Sequence, residues 1–153
     1  EYLAEKFPDR RLWPEATRER ARARSLAAEM HAGFGALRTH CGMNIEASMP
    51  EIGRQVLAGQ PEVASDLARI DAMWSGQIAA HGGPFLFGER FTIADAFYAP
   101  VCSRIRTYAL PVSEASRRYA EHLLALPAMQ QWTSQALAEH DFIEADEPYR
   151  RKP

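Results

Sequence analysis

Apolar residues recur every three or four positions along most of the chain, a spacing typical of helices rather than strands. Beta-branched residues are sparse, no run alternates between apolar and polar positions, and no Asn-Gly or Asp-Gly turn is present. Glycine and proline interrupt the pattern, so it predicts five principal helices, at 14–39, 61–80, 92–110, 113–126 and 127–140. The segments 41–60 and 82–91 are predicted as connecting loops, and 142–153 as a charged tail. The predicted fold class is all-α.

The stretch "FTIADAFYAP", at 91–100, opens the most apolar of these helices with a polar pair, Thr92 and Asp95. A threonine at a helix start and an acid three residues later can satisfy two unpaired backbone N–H groups, which makes a capping box. Small residues fill the rest of the helix surface, so we expect a central, buried helix that Pro100 bends. Its predicted apolar stripe consists of Ile93, Phe97, Tyr98, Val101, Ile105 and Tyr108.

Composition excludes several classes of protein. The chain has 153 residues, of which 46% are hydrophobic and 25% charged, enough for one globular domain with a real core. The formal net charge of -2 argues against a nucleic-acid partner, and no apolar run is long enough to span a membrane. Two cysteines, Cys41 and Cys102, cannot form a disulfide framework, and no histidine has metal-ligand spacing to a second His or Cys. These features favour a cytoplasmic protein without a metal site.

The first long helix has three distinct faces. Arg24, His31 and Arg38 share one of them, away from the apolar stripe that includes Phe34. This row could meet an anionic ligand or another domain, or it could be a solvated or salt-bridged edge. The third face suits close helix packing, as across a dimer axis, and consists of Ser25, Ala28, Ala32 and Ala36.

Arg104 and Tyr108 lie within the stripe of the central helix. A charge in that position must be paired or reach an opening, so Arg104 is predicted either to form a buried ion pair, with Glu29 or Asp71, or to line a pocket. Tyr108 could pack in the core or hydrogen-bond a substrate with its hydroxyl. Nothing near Cys41 except a neighbouring histidine suggests a lowered thiol pKa, so an inert thiol is expected.

Several of these segments together resemble the C-terminal helical domain of cytosolic glutathione S-transferases. The resemblance rests on "EYLAEKFP" at the chain start, the following "LWP", and "GPFLFGERF" before the capping box. The stretch "ARSLAAEMHAGFGALR" at 23–38 is also similar to a bacterial branch of that family. The chain departs from the branch at Gly42, where a proline would precede Met43 and Asn44, and at Ala96, where a larger residue is usual.

The resemblance implies a division at residue 13. Residues 1–13 would end a thioredoxin-like domain and form the linker, and 14–153 would be the all-α domain. That N-terminal thioredoxin-like domain would bind and activate glutathione, the cosubstrate, so this chain alone would hold no catalytic residue and be inactive. The helical domain would form a homodimer and bind a hydrophobic electrophile. The candidate substrate-binding residues are His31, Phe34, Arg38, Arg104 and Tyr108.

A second function remains open at this point. The same helical domain also occurs, by resemblance, as a non-catalytic protein–protein association module, and fold alone does not decide between the two functions.

Overall fold

The computed structural model describes residues 1–140, 143, 147 and 149, and the described part of the chain contains helices and no β-strand. The all-α prediction is therefore confirmed. A short 3-10 helix, Pro8–Arg10, follows the first α-helix. The α-helices are α1 Tyr2–Lys6, α2 Thr17–Ala32, α3 Gly35–His40, α4 Pro50–Gly59, α5 Pro61–His81, α6 Ile93–Tyr108, α7 Glu114–Leu124 and α8 Pro127–Glu139.

Four predicted helices agree with the structure to within about two residues at each end. Pro61 and Pro127 occupy the first positions of α5 and α8, where the missing N–H costs nothing. Gly82 ends α5 in the left-handed conformation, with φ of 84°. Ser113 caps α7, and Asp71 of α5 accepts hydrogen bonds from the Ser113 N–H at 3.0 Å and hydroxyl at 2.7 Å. Local signals were sufficient for these elements.

The prediction of one continuous first helix is wrong, because the chain breaks between α2 and α3. Gly33 leaves α2 in an extended conformation, and a Cβ on it would lie 2.7 Å from the Glu29 carbonyl oxygen. Phe34 then adopts the left-handed conformation, with φ of 56°. The N–H of Leu37 in α3 donates to Oδ2 of Asp66 on α5 at 2.9 Å, so a tertiary contact supports the new helix start.

The prediction of a loop over 41–60 is also wrong for its second half, which forms α4. Pro50 and Glu51 occupy the first turn of α4, a position that proline and acidic residues favour in helices. The N–H of Met49 donates to the Thr107 carbonyl of α6 at 2.6 Å. Gly53 lies so close to α6 that a Cβ there would overlap the Tyr108 carbonyl oxygen. The helix therefore depends on a close approach to α6.

The core is organised around α6, which packs against α2, α4 and α7. Ten of its 16 residues are buried. Trp74 of α5 is fully buried with its ring edge-on to Tyr98, at 5.5 Å between centroids, and to Tyr119, at 4.8 Å. Phe97 was predicted in the buried stripe but is 39% exposed, because it lies at the edge of α6 that no described element covers. None of the described helices is both long and apolar enough to cross a membrane.

Candidate functional site

The capping box at the start of α6 is present, and its acid is more deeply embedded than a cap requires. Asp95 is fully buried, and its Oδ2 accepts from both the N–H and the hydroxyl of Thr92 at 2.8 Å. Its Oδ1 accepts from the Leu86 N–H at 3.0 Å and the Tyr119 hydroxyl at 3.1 Å. Burial raises the pKa of this carboxyl, while the four hydrogen bonds act to lower it. Asp95 thus connects three parts of the chain: the loop before α6, the first turn of α6, and helix α7. Its contacts stabilise the fold.

The predicted row of Arg24, His31 and Arg38 is divided in the structure. Arg24 binds the Glu1 carboxylate through two contacts, at 2.8 and 2.9 Å, and lies over the Trp13 ring at 5.6 Å. Arg24 therefore holds the N-terminal segment against α2. Of the alternatives predicted for the row, the salt-bridged edge is the one that applies to Arg24.

His31 and Arg38 come together across the break between α2 and α3. Both side chains are exposed, and Nη1 of Arg38 donates to the His31 carbonyl at 3.3 Å. That carbonyl belongs to the last turn of α2, where the unpaired carbonyls favour a positive charge. The break thus keeps both residues on one surface although they belong to different helices.

Three side chains on one face of α6 hold the loop 41–44 through its backbone carbonyls. Residues three and four positions apart share a helix face, so all three can reach the same loop. Nε of Arg104 donates to Cys41 O at 2.8 Å, the Thr107 hydroxyl to Asn44 O at 2.6 Å, and the Tyr108 hydroxyl to Gly42 O at 2.9 Å. Sequence reasoning missed this arrangement, because the donors and the carbonyls that they bind are 63 to 66 positions apart in the chain.

The predicted ion pair of Arg104 with an acid is wrong. Glu29 instead binds Arg69, at 2.7 Å, and Asp71 binds Ser113. Arg104 is half-buried, donates only to backbone carbonyls, and makes no ion pair with a carboxylate among the residues that the structure describes. Burial lowers its guanidinium pKa, and the nearby positive charge of Arg38 lowers it further.

Phe34 and Tyr108 are both buried in the core, with 6% and 2% of their surface exposed. The Tyr108 hydroxyl donates its hydrogen bond to the Gly42 carbonyl, and burial raises the pKa of Tyr108 to about 12. Burial also raises the pKa of the Cys41 thiol, to about 11, so that thiol is protonated at neutral pH. Of the five candidate substrate-binding residues, two are therefore exposed, one is half-buried, and two are buried.

The C-terminal segment reaches the same region. The Tyr149 hydroxyl donates to the His40 carbonyl at 3.2 Å, and its ring lies 6.3 Å from the Tyr108 ring. Oε2 of Glu147 accepts from the Asn44 amide at 2.8 Å. Most of the predicted charged tail, 142–153, lies outside the described residues. Within the described part of the chain, no group of three or more His, Cys, Asp or Glu side chains is arranged to hold a metal ion.

Comparison with known proteins assigns the family. The family model of the glutathione S-transferase C-terminal domain matches residues 15–134, and the chain belongs to this family. A crystal structure of a glutathione transferase from Methylococcus capsulatus strain Bath has the same fold, with a TM-score of 0.59 and 23% sequence identity. The match covers 90% of this chain and 64% of that one, so the chain spans just under two thirds of that transferase. None of the curated proteins compared with the sequence matches it.

Proposed function

We propose that this chain is the acceptor-binding and dimerisation half of a glutathione transferase. In the reaction, the glutathione thiolate attacks an electrophilic carbon of a hydrophobic acceptor. A C–S bond forms, and the leaving group departs with its bonding electron pair. The thiol proton passes to solvent beforehand, and a thioredoxin-like domain provides the activation. Membership of the glutathione S-transferase C-terminal domain family is the observation that carries this proposal.

The acceptor is proposed to lie over the break between α2 and α3. His31 and Arg38 are exposed there, Arg104 is half-buried, and Phe34 and Tyr108 are buried in the core. In this proposal the two buried residues shape the surface, and the three others contact the acceptor. Polar groups beside apolar side chains can orient a bound ligand, which supports placing the acceptor at this surface.

The rest of the thioredoxin-like domain is proposed to pack on the apolar side chains of the N-terminal segment, which would form the end of that domain. Tyr2, Leu3 and Phe7 are 68%, 56% and 46% exposed, and α1 has no buried residue. Adjacent exposed apolar side chains of this kind are typical of a surface that another unit covers. The Arg24–Glu1 ion pair would hold this segment in place for the contact.

The proposed activity is tested by comparing two proteins with the neutral electrophile 1-chloro-2,4-dinitrobenzene and glutathione. One is the product of the complete reading frame that encodes these residues, and the other is residues 1–153 alone. We expect glutathione-dependent chloride release with the first and none above the uncatalysed rate with the second. If a folded complete product lacks glutathione-dependent activity against this and other electrophiles, the chain is an association module instead.

We also predict that residues 1–153 do not bind glutathione, because the proposal places every glutathione contact in the thioredoxin-like domain. Isothermal titration calorimetry with glutathione up to millimolar concentrations should show only heats of dilution. The complete product, titrated under the same conditions, is the positive control. Saturable binding to residues 1–153 would contradict the proposed division of labour.

A further inference from the structure

We propose that a cavity between α6 and α7 binds the carboxylate form of a small acid with an apolar body. The cavity has a volume of about 330 Å³ and lies where α6 ends and α7 begins. It is separate from the proposed acceptor surface, because none of the five candidate substrate-binding residues lines it. Binding requires only this chain, so the proposal is independent of the proposed glutathione chemistry.

The interior of the cavity is apolar because small side chains line it on both helices. Cys102 of α6 and Ala120 of α7 are both buried there, together with Ile105 and Leu110. The volume is at the lower end of the range for small-molecule sites, about 300 to 1,000 Å³. Such a cavity can remove the apolar part of a small ligand from water, which favours binding.

Three charged residues line the cavity and are exposed, so they mark where it opens to solvent: Arg106, Arg117 and Glu121. Arg117 is already paired, since its Nη1 lies 2.9 Å from Oε1 of Glu121 and its Nη2 contacts the Glu114 carboxylate. Glu114 also pairs with Arg118, at 3.3 Å. The guanidinium of Arg106 makes no hydrogen bond or ion pair with the residues that the structure describes. The cavity opening therefore carries a positive charge without a counter-charge among those residues.

This charge distribution favours an acid over an amine or a neutral compound. A carboxylate beside Arg106 would gain charge-assisted hydrogen bonds, and the planar guanidinium matches its two oxygens. An ammonium group would be repelled by Arg106, and the nearby acids Glu114 and Glu121 already have arginine partners. A neutral ligand would gain only the apolar contacts.

The linker between α6 and α7 is fixed at both ends, so the cavity exists before a ligand binds. Ala109 ends α6 in the left-handed conformation, with φ of 50°, and the Leu110 N–H donates to the Ile105 carbonyl at 3.0 Å. At the other end, Asp71 of α5 accepts hydrogen bonds from the N–H and the hydroxyl of Ser113. A preformed site loses little conformational entropy when a ligand binds.

The test measures binding of two apolar carboxylates, octanoate and 2-naphthoate, to residues 1–153 by isothermal titration calorimetry. The neutral amides of the same two acids are the matched control ligands, and the flexible chain and the flat ring distinguish a fatty acid from an aromatic acid. At least one carboxylate should bind saturably, and more tightly than its amide at low ionic strength. Added salt should reduce that difference. If neither carboxylate binds saturably and more tightly than its amide, the proposal is overturned.

The variant Arg106→Gln should weaken binding of the carboxylate about fivefold, the upper range for an ion pair at an exposed position, and leave binding of the amide unchanged. Arg18→Gln is the matched control, because it removes one charge from an exposed arginine on α2 that does not line the cavity. Because Arg106 is exposed, its replacement should preserve helicity and the melting temperature. Equal carboxylate affinities of the two variants would show that Arg106 has no specific role and would overturn the proposal.

The variant Val112→Phe tests whether the ligand occupies the cavity. Val112 is partly buried and lines the cavity, so a larger ring there should reduce the volume and weaken binding of the carboxylate and its amide alike. Unchanged binding of both ligands to a variant that keeps its helicity would place them elsewhere and contradict the proposed site. If Val112→Phe fails to fold, the Arg106→Gln comparison decides. Failure of glutathione conjugation would count against the proposed function alone, since this binding needs no glutathione.

Discussion

The side chain of Asp95 accepts four hydrogen bonds from three parts of the chain. Its pairing with Thr92 follows from local sequence, because both groups belong to one helical turn. The contacts from Leu86 and Tyr119 depend on how the loop before α6 and helix α7 fold around that turn. The sequence therefore predicts Asp95 as a helix cap, and the structure adds its contacts with the loop before α6 and with α7.

We predict that Thr92→Ala lowers the free energy of unfolding by about 1 to 2 kcal/mol. Asp95→Ala should cost more, because it also leaves the buried Leu86 N–H and Tyr119 hydroxyl without an acceptor. The double variant should cost less than the sum of the two, since both changes act on one turn. Urea titrations would show lowered midpoints at similar slopes. An unchanged midpoint in Asp95→Ala, with activity lost in the complete protein, would make Asp95 a site residue instead.

At the scale of the element, α4 and α6 approach each other more closely than side chains would allow. Gly53 provides the gap, and the Tyr108 carbonyl oxygen fills it. The Met49 N–H bond to Thr107 O lies at the same crossing. Because Tyr108 and Thr107 also hold the loop 41–44, this crossing determines the surroundings of the proposed acceptor surface.

Gly53→Ala should destabilise the chain by about 1 to 3 kcal/mol or more, because the obstructing atom is backbone and cannot rotate away. Gly76→Ala is the matched control, since Gly76 lies within α5 and a Cβ there meets nothing within 4 Å. It should raise stability by about 0.5 to 1 kcal/mol. Thermal melts of the two variants should therefore shift in opposite directions. A neutral Gly53→Ala would mean that α4 does not pack as closely on α6 as described.

At the scale of the whole molecule, one face of α2 is left exposed by the described part of the chain. Ala23 and Leu26 face the core, and Arg24 holds the N-terminal segment. Ser25, Ala28 and Ala32 remain exposed although their small side chains suit close helix contact. Ala36, the fourth residue of that predicted face, is instead partly buried against the core, because the break before α3 redirects it. We propose that a second copy of the chain packs on the exposed part.

We predict that Ala28→Arg converts a homodimer into a monomer, because a long charged side chain prevents close helix approach. Ala58→Arg is the control, since Ala58 is an exposed alanine on α4, away from this face. Sedimentation velocity at several concentrations would distinguish the two states. A dimer that survives Ala28→Arg would exclude this face as the interface, and a parent chain that is monomeric at all concentrations would exclude dimerisation through this domain.

The sequence by itself determined the helical class, the positions of α5 to α8 and the capping box. Each of these depends on interactions within a few residues: periodic apolar spacing, proline at a first turn, glycine after a last one, and Thr92 three positions before Asp95. Such interactions are the same wherever the segment is placed. The motifs around Phe34 and the capping box also pointed to the family that the comparison assigned.

The tertiary structure decided the features that depend on contacts between distant segments. The first helix breaks where Gly33 meets the Glu29 carbonyl and where Asp66 of another helix caps the restart. α4 was predicted as a loop although Pro50 and Glu51 mark its start, and its Gly53 is explained only by the close approach to α6. Arg104 donates to the Cys41 carbonyl rather than to an acid, because the fold brings that carbonyl to it and pairs Glu29 with Arg69. Periodicity carries no information about which distant group will be nearest, and only packing of the complete chain decides it.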